Sequence, residues 1–289
     1  MKKFLLASTM LVASATLANA QALTISGEGR MGVQYDNFGF GGTNWRTEQR
    51  LTLDFNVAIE ADHGLTFGAW TRARMSTLGW GVSMFGVFSG SRVWVEANGL
   101  RLAFGNMDGA LATVGSSHGW LGGCGVGYEY GVLCGDTAGL WTIAHQENAF
   151  GAGANLIMAS YEMNNYQVAV SHQRGVSTEI AARGTFGAVT VAAGYATNFD
   201  VWTLSGHYDG GAWGVGAIVA DGPGATNWAL SGSAQLGGGS LYGYVGREFG
   251  ANAYGLSYGY GLGGGADIIA GAERVGANTV ASVGVVFAF

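Results

Sequence analysis

Four arginines, Arg30, Arg50, Arg72 and Arg74, occupy positions of equal parity in three successive alternating segments. Residues two apart share one face of a strand, so hairpin pairing of these segments gathers the four guanidiniums into a single wall. A guanidinium is permanently charged and presents a rigid fork of donors. The chemistry of such a wall is therefore electrostatic, acting on anions, dipoles and ordered water. A second group of reactive side chains lies between Asn106 and about Gly151, where alternation stops: Asp108, His118, Cys124, Glu129, Cys134, Asp136, His145 and Glu147. Cys124 and Cys134 are the only cysteines. Ten residues apart in one loop of an exported chain, they predict a local disulfide that stiffens the loop. The five histidines, His63, His118, His145, His172 and His207, show no metal-ligand spacing and read as turn, loop or lumen residues.

The segments that carry the arginines are strands by period. Leu23 to Tyr35 places Leu23, Ile25, Met31, Val33 and Tyr35 on one face, with Ser26, Glu28, Arg30 and Gln34 on the other. Leu51, Leu53, Phe55, Val57 and Ile59 then oppose Arg50, Thr52, Asp54, Asn56 and Glu60, and Leu65 to Met75 sets Trp70, Arg72 and Arg74 against an apolar parity. Segments of this kind recur at about ten residues each, separated by Gly, Asn or Asp, and their tally to the chain end is about 16. The last, Asn278 to Phe289, alternates Thr279, Ala281, Val283, Val285, Phe287 and Phe289 with smaller residues. Tyr254, Leu256, Tyr258, Tyr260 and Leu262 share one parity, as an aromatic belt at a membrane interface requires. A soluble sandwich with a solvated charged face would show the same alternation. In a lipid-embedded barrel the cost of exposing charge to hydrocarbon fixes the parity, and the arginines line the lumen.

Residues 1–20 read as a secretory leader: Lys2 and Lys3, an apolar run from Phe4, and a small-residue end at Ala18-Asn19-Ala20. No later segment supplies the roughly 18 uninterrupted apolar residues of a membrane-spanning helix, so a membrane form of residues 21–289 crosses as strands in one closed barrel domain. The chain of 289 residues has 53 Gly, one Pro and only 11% charged residues, with no collagen-like period. Both lysines lie in the leader. The remainder carries 13 less 2, or 11, basic residues, all arginine, against 19 acidic ones, a balance that disfavours nucleic acid as a partner. Gly255-Leu256-Ser257-Tyr258-Gly259 and Gly259-Tyr260-Gly261-Leu262-Gly263-Gly264 match a nucleophile elbow and a dinucleotide fingerprint, but neither has the strand-turn-helix context that the chemistry requires. Ser171-His172 is the nearest approach to a hydrolase pair, and the chain is read as a non-enzyme.

Several stretches resemble the trimeric general diffusion porins of alphaproteobacterial outer membranes. They are Ser26 to Tyr35, His63 to Ala69, Phe104 to Asp108 at the entry to the long loop, and Val280 to Phe289; in order and spacing they span the exported chain. The resemblance implies an all-β transmembrane antiparallel barrel whose long third external loop, about 106–151, folds into the pore. It sets the loop acids Asp108, Glu129, Asp136 and Glu147 opposite Arg30, Arg50, Arg72 and Arg74, and a fixed transverse field there orders water and filters solutes. It further implies a homotrimer, with the apolar second external loop, Leu78 to Ser89, latching a neighbour through Trp80, Met84, Phe85 and Phe88; an outward-facing strand end is the alternative for that stretch. The implied location is the outer membrane of a Gram-negative bacterium, in contact with the lipid bilayer and lipopolysaccharide. The implied function is passive diffusion of small hydrophilic solutes and ions, with no required cofactor, although the family can bind Ca2+ through loop oxygens. A substrate-selective channel on the same barrel, or a plugged structural or receptor barrel, remains as an alternative. The sequence departs from the family in a loop poor in acids, in its cysteine pair, and in Trp120, Tyr128, Tyr130 and Trp141.

Overall fold

Period-two alternation becomes strand throughout the residues that the computed structural model describes, 22–37, 44–77, 83–116 and 156–289. Five strands precede the long loop: β1 (Ala22–Asp36), β2 (Trp45–Ala61), β3 (Leu65–Thr77), β4 (Ser83–Ala97) and β5 (Leu100–Gly105). A short helix, α1 (Ala110–Val114), lies within that loop. After it come β6 (Leu156–Met163), β7 (Tyr166–Gln173), β8 (Ser177–Phe186), β9 (Val189–Ala196), β10 (Val201–Asp209) and β11 (Trp213–Gly222). The chain finishes with β12 (Ala225–Leu236), β13 (Gly239–Glu248), β14 (Ala251–Gly263), β15 (Ala266–Val275) and β16 (Asn278–Ala288). Each strand pairs antiparallel with its sequence neighbours, and β16 returns to β1, closing a 16-stranded barrel. That closure overturns the soluble-sandwich alternative. The seam runs from Glu28↔Ala288 to Asp36↔Val280, and Gly27 and Phe289 exchange both backbone hydrogen bonds at 2.9 and 3.0 Å.

The start of β1, the end of β16 and seven short turns share one rim. At Asn98-Gly99 both residues have positive φ, 49° and 80°, which is the geometry of the hairpin turn that matches strand twist and the reason Gly follows Asn there. The opposite rim carries the connection between β5 and β6, residues 106–155. From β7 onward, however, its links are only two to four residues long.

Outward positions are apolar along nearly every strand: Leu23, Ile25, Met31, Phe67, Val93, Val168, Ile180, Leu204, Leu230, Leu256 and Val283 are all exposed. Aromatic side chains gather near both rims. Tyr35 and Trp45 stand 5.1 Å apart at the loop rim, while Tyr208 and Trp213 at 5.2 Å and Tyr166 and Phe186 at 5.7 Å mark the turn rim. Tyr254 to Leu262 contributes to both belts, because a strand that crosses the wall carries its one parity from rim to rim. No helix among the described residues is long and apolar enough to cross a membrane.

One boundary differs from the sequence expectation. β4 begins at Ser83, inside the stretch Leu78 to Ser89 read as an external loop, and pairs with β3 through Thr77↔Ser83, Ser76↔Met84 and Ala73↔Phe88 across two register shifts. Those shifts interrupt the parity that marks a strand in sequence, so Met84, Phe85 and Phe88 read as loop although they belong to the wall. The link between β3 and β4 shrinks to residues 78–82, and Trp80 lies outside the described residues. Phe88 is exposed and packs on Phe55 at 5.8 Å.

Within the barrel the long loop turns inward at once. Gly105 has φ 123°, and a Cβ there would stand 2.2 Å from the carbonyl oxygen of Ser91, so only glycine lets the chain leave the wall at this point. The loop then lays α1 along the inner faces of β7, β8 and β9. Ala110, Leu111 and Val114 are fully buried against Ala169, Ala181, Ala196 and Met158. Gly194 leaves the slot that Leu111 fills, since a Cβ would meet the Leu111 Cγ at 2.9 Å. Two of the helix's unsatisfied N–H groups find acceptors on the wall: Ala110 N donates to Ser171 Oγ at 2.8 Å and Leu111 N to Glu179 Oε2 at 3.1 Å. At the helix end Ser205 Oγ donates to Gly115 O at 3.4 Å.

Replacing Ser171 and Glu179 together by alanine removes both acceptors and leaves the strand ladder intact. Limited proteolysis should cut within residues 106–155 about tenfold faster or more, while the remaining barrel stays resistant, given the cost of orphaning hydrogen-bonded groups. Unchanged cleavage would show that the loop is held elsewhere.

Candidate functional site

The inner faces of β1 to β4 bear the predicted wall. Cross-strand register sets Arg30 opposite Arg50, Thr52 opposite Arg74, and Asp54 opposite Arg72. All four predicted arginines line one recess of about 370 Å³ together with Ser26, Glu28, Asn56, Trp70 and Arg92. Like charges placed directly opposite one another repel, and the wall accommodates them by threading acids between. Glu28 accepts from Arg30 Nε at 2.5 Å and from Arg50 Nη2 at 3.0 Å, tying two strands with one carboxylate. Arg74 Nε donates to Thr52 Oγ1 at 3.2 Å.

The sequence reading placed Trp70 on the arginine face but missed Arg92 and the contact between the two. Between Trp70↔Arg92 and Arg72↔Ser89 the register of β3 and β4 slips by a residue, which brings the Arg92 guanidinium 4.1 Å from the centre of the Trp70 ring. Arg72 approaches the same ring at 5.6 Å, so one indole attracts two cations through its ring quadrupole. The inward parity of Arg92 was available from Val93 and Val95 on either side of Trp94. Its closeness to Trp70 was not, because the bulge fixes it. Nearer the loop rim, Arg46 pairs with both Asp36 and Glu48, a buried cluster that sequence reasoning also passed over.

A different side-chain chemistry continues along the wall beyond the seam. Tyr244 on β13 donates its hydroxyl to Glu273 Oε2 on β15 at 2.8 Å. The bond spans β14 at Gly255, which is paired with both residues and has no side chain to intervene. Tyr242, Glu248 and Asn227 are buried on the same inner arc. The described lumen thus runs from a guanidinium-rich arc on β1 to β4 to an acid and phenol arc on β13 to β15.

Of the predicted loop acids, only Asp108 falls within the described residues. It stands partly buried just before α1, and its carbonyl accepts from Thr113 Oγ1 at 3.5 Å. Glu129, Asp136 and Glu147, with Cys124 and Cys134, lie outside the described residues, as do His118 and His145. Among the described residues no group of three or more His, Cys, Asp or Glu side chains is poised to hold a metal ion.

The enzyme-like strings dissolve into strand. Ser257 sits within β14. Ser171 is buried inward, whereas His172 faces outward and meets Thr178 Oγ1 at 2.8 Å, so the wall itself separates that pair.

Comparison with solved structures finds engineered variants of the porin of Rhodopseudomonas blastica. One is 23% identical with a TM-score of 0.76, covering 93% of this chain and 100% of that one. Another is 24% identical at the same TM-score and the same coverage. Comparison with curated proteins finds no match. The sequence model described as Gram-negative porin matches residues 7–279, nearly the whole chain. With a closed 16-stranded wall and a polar, charged lumen, the chain belongs to the Gram-negative porin family and is a passive diffusion channel across the outer membrane.

Proposed function

We propose that this channel passes small hydrophilic solutes and ions through a slit bounded by the arginine wall of β1 to β4 and by the inserted loop. The observation that carries this reading is the anchorage of α1 inside the barrel, where the Ser171 and Glu179 acceptors hold the loop in the lumen. In this reading Asp108, Glu129, Asp136 and Glu147 supply the negative side of a transverse field whose positive side is Arg30, Arg50, Arg72, Arg74 and, added by the structure, Arg92. The field costs apolar solutes the reorientation of ordered water and lets small polar ones pass. Cleavage after Ala20, a Cys124–Cys134 disulfide that stiffens the loop, and contact with lipopolysaccharide at the external rim complete it. Oxygen ligation of Ca2+ by the loop belongs to the same reading. The assembly is a homotrimer in which Trp80 on the 78–82 link, with Met84, Phe85 and Phe88 on the adjoining strand, meets a neighbour.

Single-channel recording of refolded protein in planar bilayers tests the pore. Large ohmic steps are expected, and current that saturates with one solute would replace general diffusion by selective transport. Substituting Arg72 and Arg74 by glutamine should shift the reversal potential in a salt gradient toward cations. A charge acting about 8 Å from a permeant ion in water is worth roughly twofold in permeability, so the pair should give about fourfold. No shift would remove these residues from the constriction.

The assembly is tested separately. Exchanging residues 78–82 for a Gly-Ser linker keeps the β3–β4 ladder and removes Trp80. The expected outcome is a lower dissociation temperature for the trimer on heated gels, and a trimer of unchanged heat resistance would sink the latch.

A further inference from the structure

Among the described residues, aromatic side chains that face the lumen are few, and Trp70, Tyr242 and Tyr244 are all buried. Trp94 is the exception. It follows Arg92 on the inward parity of β4, one step nearer the turn rim, and stays partly exposed. An uncovered indole in a polar lumen holds apolar surface against water at a cost, and a solute with an apolar face removes that cost.

The wall is shaped to lay this ring down. Trp94 stands opposite Gly68 on β3, where an added Cβ would meet the indole Cζ2 at 2.1 Å and Cε2 at 2.2 Å. The ring therefore crosses a position at which any side chain would displace it. Gly68 is paired in turn with Ala58 on β2, which is small and exposed, so the wall beside the ring stays low. On its other side Trp94 faces Ala103 and packs against the cluster that seats α1.

The next inward pair is polar. Glu96 and Arg101 stand opposite each other across the β4–β5 hairpin. Arg101 Nε and Nη2 reach Glu96 Oε2 at 2.7 and 2.5 Å, and the guanidinium carbon lies 5.3 Å from the centre of the Trp94 ring. The side chains remain 48% and 38% exposed for Arg101 and Glu96, so the pair is a held fork with donor and acceptor capacity still open to the lumen. An ion pair this exposed contributes little to stability. Ser160 on β6 adds a hydroxyl opposite Arg101.

An apolar plate beside a paired cation and anion fits a solute that is apolar on one face, rich in hydroxyls at its edge and without net charge. An aromatic carboxylate would stack on the ring but meet Glu96, and an ammonium would meet Arg101. A pyranose satisfies every element, because its C–H face lies on the indole while neighbouring hydroxyls donate to Glu96 and accept from Arg101. We infer that Trp94, Glu96 and Arg101 form a saccharide subsite in the lumen, on the turn side of the arginine wall. The inference rests on the diffusion-channel reading and deepens it by naming neutral sugars as solutes that the lumen holds briefly in passage.

The test titrates maltose against the refolded protein in detergent and follows binding by saturation-transfer NMR, with sorbitol and benzoate as comparison probes. Sorbitol carries hydroxyls without the ring, and benzoate is a flat anion. Maltose should bind at least about tenfold more tightly than sorbitol. Trp94→Ala should weaken maltose about fivefold, Trp94→Phe should recover most of the loss, and Glu96→Ala with Arg101→Ala should cost about fivefold. Equal maltose binding by the parent and these variants would overturn the subsite. So would sorbitol binding as tight as that of maltose, or displacement of maltose by benzoate, which would make this an anion site. Should Trp94→Ala fail to fold, seen as loss of heat-dependent migration on gels, the fork variant decides the matter, since it leaves the indole in place. Single-channel recording of the same preparations separates the two readings. A conducting parent that holds no maltose refutes only the subsite, whereas a silent parent refutes the channel itself.

Discussion

Backbone hydrogen bonding in hydrocarbon is the constraint on which the rest of the structure depends. An N–H or C=O left unpaired in lipid costs several kcal/mol, and an open sheet would present two whole edges of them. The seam between β1 and β16 removes both edges, and the exchange between Gly27 and Phe289 carries the pairing to the last residue of the chain. Glycine and aromatic residues alternate in role there. The rings of Phe287 and Phe289 lie over Gly29 and Gly27, covering backbone that no side chain on β1 shields. Once the ladder closes, every remaining side chain must face either lipid or lumen. Away from the rims, the charges have one side to occupy.

Closure alone produces a cylinder; α1 occupies part of its interior. An inner wall made wholly of polar side chains would offer α1 no apolar surface to dock on. β7 to β9 instead turn Ala169, Ala181, Ala192, Gly194 and Ala196 inward, a shallow surface that receives Leu111 and Val114. Burying these side chains contributes on the order of 2 kcal/mol each. The Ser171 and Glu179 acceptors add direction, because they fix the helix start against one height of the wall. Position therefore comes from hydrogen bonds and adhesion from small residues, and Gly105 permits the turn that brings the two together.

Strand number, parity, the closing strand and the arginine wall were legible in the sequence because each follows from a period of two maintained over at least six residues. Where the period breaks, legibility ends. The bulges of β4 hid the opening stretch of that strand, residues 83–90, and concealed the meeting of Arg92 with Trp70. The docking of α1 left a signal that was not used: inward positions on β7 to β9 change from polar to alanine and glycine, which in a water-filled lumen implies that something covers them. The acid and phenol arc of β13 to β15 was hidden differently. Tyr244 and Glu273 are 29 residues apart, and only the glycine between them in space, Gly255, lets them touch.

The arginines show how one residue type meets opposite demands. Of the 11 arginines, eight lie at inward strand positions (Arg30, Arg46, Arg50, Arg72, Arg74, Arg92, Arg101 and Arg183), two, Arg247 and Arg274, lie outward at the loop rim, and Arg174 sits in a turn. Seven of the inward arginines, all but Arg183, are held by side chains: Glu28, Asp36, Glu48, Thr52 and Glu96 accept from them, and Trp70 stacks against two of them. The outward pair is held by backbone carbonyls. The difference follows from the medium. In the lumen a carboxylate can stand beside a guanidinium because water screens both, and the pair then sets the local field. On the lipid side a carboxylate would add a second costly charge near hydrocarbon, so neutral turn carbonyls orient the fork, and no carboxylate among the described residues compensates its charge. A lysine ammonium, with its single compact head and flexible stem, would be oriented by neither arrangement, and residues 21–289 contain none.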